Sequence, residues 1–197
     1  MQVIMYQANA FTDKLIEGSP TGIVPDASNL TDEDMKRIVK ITNLNRIAFV
    51  TKLDSENYTV RIFTPEEEII FCDCATVASF YALAERGYIK GVENGVVRVY
   101  QSTKVNKKPI DIYFENWKVD RVELYEERPM SLGYYDEVDE LSSILRIDKE
   151  DIGMKFLNIK PEILFTGTKD LIIPVKNYKV LDKLDLNLEN FKKEFKA

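Results

Sequence analysis

The stretch from Cys74 to Arg86 constrains the fold more than any other part of the chain. It reads Cys74-Ala-Thr-Val-Ala-Ser-Phe-Tyr-Ala-Leu-Ala-Glu-Arg86, followed by Gly87. With tyrosine counted among the aromatics, Thr76 and Ser79 are the only polar side chains before Glu85, and both are small. A helix that is apolar on every side has no face to offer water, so protein must surround it. The segment is too short to span a bilayer, which takes about 20 residues. Gly87 supplies the left-handed residue that commonly ends a helix. The segment therefore predicts a central helix wrapped by a curved sheet.

The flanking sequence supplies that sheet. Residues 2–10 read as a strand leading to a turn at Gly18-Ser19-Pro20, and Thr21–Val24 as a short second strand. Thr31-Asp-Glu-Asp34 has the form of a helix start, a threonine N-cap with an acid three residues on. Met35, Ile38 and Val39 then give that helix one narrow apolar stripe, which suits a surface helix lying on a sheet. Ile47–Val50 is a compact apolar strand. Tyr58, Val60 and Ile62 alternate with Thr59, Arg61 and Phe63, which is strand periodicity. The strand stops at Thr64-Pro65, because proline removes a ladder donor. Glu66, Glu67 and Glu68 read as a solvated turn. Strands follow near 95–102, 108–115 and 118–125, with a hairpin-type turn at Asn94-Gly95 and a tight connection at Asn116-Trp117.

The chain then becomes charged and reaches Pro129. The reading assigns 1–115 to a first half built on the central helix and 116–197 to a second. The second holds a short helix near 137–145, strands at 163–165 and 171–175, and an amphipathic helix over 187–196. Nothing in it is apolar all round, so as a matching half it lacks its centre.

Composition excludes several chemistries. The chain has no histidine. Ser-His-Asp and Cys-His catalysis and His-ligated zinc are therefore absent from it. Lys and Arg number 27 against 33 Asp and Glu, whereas nucleic-acid binders are usually basic. A single C-x-C pair, Cys72 and Cys74, cannot supply four zinc ligands and does not form a disulfide framework. The N-terminus carries no signal-peptide pattern, and no run is long enough for a membrane span. The expectation is a reduced, cytoplasmic protein without metal or cofactor and without nucleic-acid or membrane partners.

The residues with most chemical capacity sit at the head of the apolar helix. Cys72-Asp73-Cys74 occupies a strand-to-helix junction, where unpaired N–H groups carry partial positive charge. Such a site accepts a carboxylate or phosphate and lowers a thiol pKa. A reactive Cys72 is physically reasonable there; the competing reading, which composition alone favours, makes both cysteines small buried hydrophobes. Asp73 fits the helix N-cap.

At this point the chain resembles the PhzF-like proteins of the diaminopimelate-epimerase superfamily. The resemblance lies in Tyr6-Gln-Ala-Asn-Ala-Phe-Thr12, Gly18-Ser-Pro20, Asn43-Leu-Asn-Arg-Ile-Ala-Phe-Val50, Phe63-Thr-Pro65, Cys72-Asp-Cys-Ala-Thr76 and Thr166-Gly-Thr-Lys-Asp-Leu-Ile-Ile-Pro-Val175. It implies an α+β fold of two similar halves, each a curved mixed β-sheet around a central helix, here with the second half incomplete. It also implies cofactor-free proton transfer, giving isomerisation or epimerisation of small carboxylic acids in the cleft between the halves. Cys72 and Asp73 then take catalytic positions, and Ser19, Arg46, Cys74, Ala75 and Thr76 substrate-binding ones.

Three departures accompany the resemblance. Arg46 stands where the family carries its glutamate acid/base, and arginine does not give up its proton. Asp73 and Cys74 replace a glycine and a histidine, placing a negative charge where a carboxylate should bind. The second half stops before its own helix-opening motif, so a homodimer partner or a separate chain is expected to complete it. Two functional readings follow: an impaired isomerase, and a non-catalytic homologue that binds a small molecule or a protein.

Overall fold

The computed structural model describes residues 2–12, 14, 17–70, 72–103, 107–125, 128–166 and 169–186. They fall into two units, Met1–Tyr125 and Glu126–Ala197. The first unit reaches beyond the expected division at 115, because the strand that follows the Asn116-Trp117 turn pairs back onto the one before it.

The first unit is one mixed sheet of eight strands. They are β1 (Tyr6–Ala10), β2 (Ser19–Val24), β3 (Ile47–Lys52), β4 (Asn57–Phe63), β5 (Glu68–Ile69), β6 (Asn94–Ser102), β7 (Lys107–Glu115) and β8 (Lys118–Leu124). Their order is β1-β2-β3-β4-β6-β7-β8, with β5 paired to β4. The β2–β3 and β4–β6 pairs are parallel, and the others are antiparallel.

Helix α2 (Asp73–Glu85) packs against β1, β2 and β3 at one end of this order and against β7 and β8 at the other. A flat sheet could not bring both ends to one helix, so the sheet curls around it. The expected central helix is thus present, and its composition explains the close wrapping. Ala75, Ala78, Ala82 and Ala84 let the strands approach, while Phe80 and Leu83 fill the remaining space; all six are buried. Ser79 satisfies its hydroxyl within the helix, donating to the Ala75 carbonyl at 2.6 Å.

Strand alternation divides the apolar residues between two clusters. Ile23, Ala48, Val50 and Ile62 face α2. Their neighbours Val24, Ile47, Phe49 and Phe63 point to the other face. There they meet Met35 and Val39 of α1 (Asp32–Thr42). The continuous run Ile47–Val50 is therefore a strand buried on both faces. The start of α1 is the expected capping box: Asp34 N–H donates to Thr31 Oγ1 at 3.2 Å, and Thr31 N–H to Asp34 Oδ2 at 3.0 Å.

Several local expectations change. The Asn94-Gly95 pair opens β6 instead of forming a turn, and Asn94 Oδ1 accepts from the Asn116 N–H at 3.1 Å. The tight hairpin is at Asn116-Trp117, where φ is 50° and 66°. Positive φ at both central residues is the turn whose twist suits paired strands. Glu68 is not in a solvated turn. Its carboxylate accepts two hydrogen bonds from Arg61, at 2.8 and 2.9 Å, and Arg61 also reaches Asp32 at 2.6 Å. These bonds hold the Arg61 guanidinium charge more firmly still.

The second unit has a three-stranded antiparallel sheet, β11-β10-β9, from β9 (Met130–Tyr134), β10 (Glu162–Phe165) and β11 (Lys169–Ile172). Helix α3 (Val138–Leu145) buries Leu141, Ile144 and Leu145, as its spacing predicts. A short α4 (Tyr178–Leu181) buries Val180. The expected strand over 171–175 ends at Ile172. Pro174 follows, and Val175 makes only a single bridge, to Ile152. Among the described residues this unit has no helix longer than α3. The expected helix over 187–196 lies outside the described residues.

Candidate functional site

The site is assembled by three connections of the first unit. Gly18, with φ +84°, turns the chain from β1 into β2. A Cβ there would lie 2.5 Å from the Ala10 carbonyl oxygen and 2.5 Å from Thr12 Cγ2, so the turn needs glycine. That turn places Ser19 at the first position of β2. Arg46 stands immediately before β3, its carbonyl accepting from the Gly22 N–H at 3.1 Å. Cys72 is the N-cap of α2, in extended conformation and with no side-chain capping bond.

These elements bring Ser19, Arg46, Cys72 and Cys74 together. Arg46 Nη1 donates to Cys74 Sγ at 2.6 Å and to Cys72 Sγ at 3.1 Å. The two sulfurs lie 3.1 Å apart as free thiols. The Ser19 hydroxyl donates to Cys74 Sγ at 3.5 Å. Both cysteines are half-buried and pack their inner sides against the core cluster around α2.

The two thiols are driven in opposite directions. Burial pushes Cys74 up, but hydrogen bonds from Ser19 and Cys72, the Arg46 charge and the Ala75 N–H together outweigh it. Its pKa falls below that of an ordinary thiol. Burial also pushes Cys72 up, and its hydrogen bond to Cys74 adds to this. The Ala75 N–H and Arg46 act against that rise without cancelling it. The shorter contact from Arg46 and the hydrogen bond from Ser19 thus favour negative charge on Cys74 over Cys72. The C-x-C spacing shows that two thiols are near each other but not which one ionises. That depends on Ser19 and Arg46, which arrive from distant strands.

The other expected site residues are placed differently. Asp73 is not the cap. Cys72 takes that position, and Asp73 is the exposed first residue of the helix, where its charge suits the helix dipole. The Thr76 N–H is already used by the Cys72 carbonyl at 2.9 Å, and its buried hydroxyl has no hydrogen-bond partner among the described residues. Ala75 is fully buried, and its N–H is near enough to both sulfurs to favour their ionised forms. The functional groups gathered at this point are thus Arg46, Cys72, Cys74 and Ser19, with the Ala75 amide behind them.

The second unit carries a cavity of about 440 Å³ lined by Tyr135, Lys149, Glu150, Asn158 and Lys160, among others. Its charges are mixed and it has no thiol. Among the described residues no group of three or more Cys, Asp or Glu side chains is placed to hold a metal ion. Also among them, no helix is long and apolar enough to cross a membrane.

A sequence model of the family described as phenazine biosynthesis-like protein (PhzC-PhzF) matches residues 8–197. An uncharacterized isomerase of Clostridium acetobutylicum is 31% identical over 194 residues, covering 94% of this chain and 60% of the relative. The uncharacterized isomerase YfhB of Bacillus subtilis is 30% identical over 185 residues, covering 93% and 59%. Among solved structures, the phenazine biosynthesis protein of the PhzF family from Bacillus anthracis matches with a TM-score of 0.79 at 30% identity, covering 98% of this chain and 62% of that one. A predicted epimerase from Pseudomonas aeruginosa matches with a TM-score of 0.81 at 17% identity, covering 100% and 68%, a likeness of fold. The chain spans about 60% of the length of the curated relatives it matches.

Proposed function

Because the chain belongs to the phenazine biosynthesis-like (PhzC-PhzF) family, and its matched relatives are named isomerases, we propose that it performs cofactor-free proton transfer on a small carboxylic acid, with the thiol pair at the head of α2 as its acid–base group. The observation that carries this reading is Arg46 Nη1 lying on both sulfurs. Arginine cannot take up a proton, so the residue standing at the family's glutamate position is not the base. It stabilises a thiolate instead. The base is then Cys74, not Cys72 as the sequence alone suggests, and Cys72 keeps its proton beside it. A thiolate and a thiol within one hydrogen bond form an acid–base pair that can take a proton from a substrate carbon and return one.

The same arrangement limits the rate. A substrate carboxylate competes with Cys74 for Arg46, and Asp73 at the first turn of α2 repels a second anion. Turnover is therefore slow, and the competing reading is a homologue that binds the acid without converting it. That reading is favoured by the loss of the glutamate at position 46.

Deuterium incorporation separates the two. The protein is incubated in D2O with a panel of small 2-substituted and unsaturated carboxylic acids, and the carbon next to the carboxylate is followed by NMR. Exchange that is lost in Cys74→Ser supports proton transfer. No exchange with any acid, together with binding that survives Cys74→Ser, overturns it in favour of the binding domain.

A further inference from the structure

We propose that Cys72 and Cys74 form a peroxide-responsive thiol pair, closing reversibly to an intrachain disulfide with Cys74 as the attacking sulfur and Cys72 as the resolving one. The proposal rests on the geometry of four side chains and holds whether or not the site turns over a substrate.

Three observations carry it. The sulfurs are 3.1 Å apart, so forming a bond of about 2.05 Å asks each to move by only a fraction of an ångström. One guanidinium nitrogen donates to both, at 2.6 and 3.1 Å, and Ser19 donates to Cys74 alone. This places a cation against the sulfur that must become nucleophilic, and leaves the other as a neighbouring thiol. Both cysteines are partly exposed instead of sealed in the core, as thiols that react with a small solute such as hydrogen peroxide must be. Reactive thiols sit in such electropositive, partly exposed surroundings. The lowered pKa of Cys74 and the raised pKa of Cys72 agree with this assignment.

The steps balance. The Cys74 thiolate attacks a peroxide oxygen. The S–O bond forms, the O–O bond breaks, and the departing hydroxide takes a proton and leaves as water. Cys74 is then a sulfenic acid. The Cys72 sulfur attacks Cys74 Sγ as it gives up its proton; the S–S bond forms, the S–O bond breaks, and a second water leaves. The two sulfurs together lose two electrons and the peroxide gains them. A dithiol reductant reverses the closure by thiol–disulfide exchange. Closure removes the thiolate from Arg46 and leaves the guanidinium without its partner charge.

The test uses the full chain, reduced and then exposed to stoichiometric hydrogen peroxide at neutral pH. Intact mass and peptide mapping are expected to show loss of two hydrogens and a Cys72–Cys74 linkage, reversed by dithiothreitol. In Cys72→Ser the reaction is expected to stop at one added oxygen on Cys74, captured by dimedone. In Cys74→Ser the peroxide reaction is expected to slow on the order of tenfold, towards the rate of an ordinary thiol. Wild-type protein that accumulates only added oxygens, or only disulfide-linked dimers, overturns the proposal. So does equal peroxide reactivity of the two single variants. The wild-type mass measurement decides the matter even where a variant does not fold.

Discussion

Replacing Phe80 by alanine tests whether the wrapped helix is the organising element of the first unit. Phe80 is fully buried, with 0% exposure, and its ring meets Tyr58 edge-on at 5.8 Å and 88°. Truncating a buried phenylalanine costs about 3–5 kcal/mol, a range that includes both the lost transfer free energy and the cavity left behind. The lost edge-to-face contact, worth about 0.5–1.5 kcal/mol, places this site in the upper part of that range. Tyr58 is itself buried and held in β4, so the strand cannot collapse freely into the space. Against a total stability of about 5–15 kcal/mol this is a large fraction. At roughly 2–4 °C per kcal/mol for a chain of this size, the melting temperature falls by about 10 °C or more. The control is Tyr81→Ala, the neighbouring position at 39% exposure. Urea and thermal unfolding, followed by circular dichroism and by Trp117, the single tryptophan and a residue of the first unit, give both values. A loss for Phe80→Ala below about 1 kcal/mol, or no larger than that of Tyr81→Ala, refutes the claim that the sheet is packed around this helix.

Two further outcomes follow from the charged groups. Arg46→Met removes the cation from Cys74, so the pH profile of iodoacetamide alkylation moves to higher pH; each unit of movement lowers the thiolate fraction at neutral pH about tenfold, and an unmoved profile contradicts the assigned role of Arg46. Asp111 is buried and accepts from Arg98 Nε and Nη2 at 2.6 Å and from the Tyr125 hydroxyl at 2.7 Å. The Arg98 bonds hold its carboxyl below the usual carboxylate range, with Tyr125 adding to the effect against burial. A depressed native pKa stabilises the fold above the unfolded value near 3.9 and loses that contribution as pH falls through the native one. Asp111→Asn is therefore expected to unfold at lower urea than wild type at pH 7, with the gap narrowing below about pH 4; a gap that persists unchanged in acid contradicts this.

Much of the fold is legible in the residues themselves. A helix with no polar side has one kind of environment available to it, and the Cys74–Arg86 stretch declares that environment without any knowledge of its partners. The alternation in β4, the capping box at Thr31 and the apolar spacing of α3 are equally local. Asn116-Trp117 and Asn94-Gly95 show where local reading weakens. Both pairs contain a turn-forming asparagine, and only the registers of β8 and β6 on β7 decide that the first makes the hairpin and the second opens a strand.

Sequence by itself determined the central helix, most of the strands around it, and the presence of two thiols one residue apart at its head. Tertiary structure decided what those thiols are. Ser19 comes from the β1–β2 turn and Arg46 from the entry to β3, and the curled sheet alone brings both to the sulfurs. It likewise turned Glu68 from a residue of an acidic turn into the partner of Arg61. The physical reason is a difference in range. Burial and backbone periodicity are set by neighbours along the chain. The pKa of a thiol, the pairing of a charge and the accessibility of a sulfur depend on groups within a few ångströms in space, and only the register and curvature of the sheet select those groups.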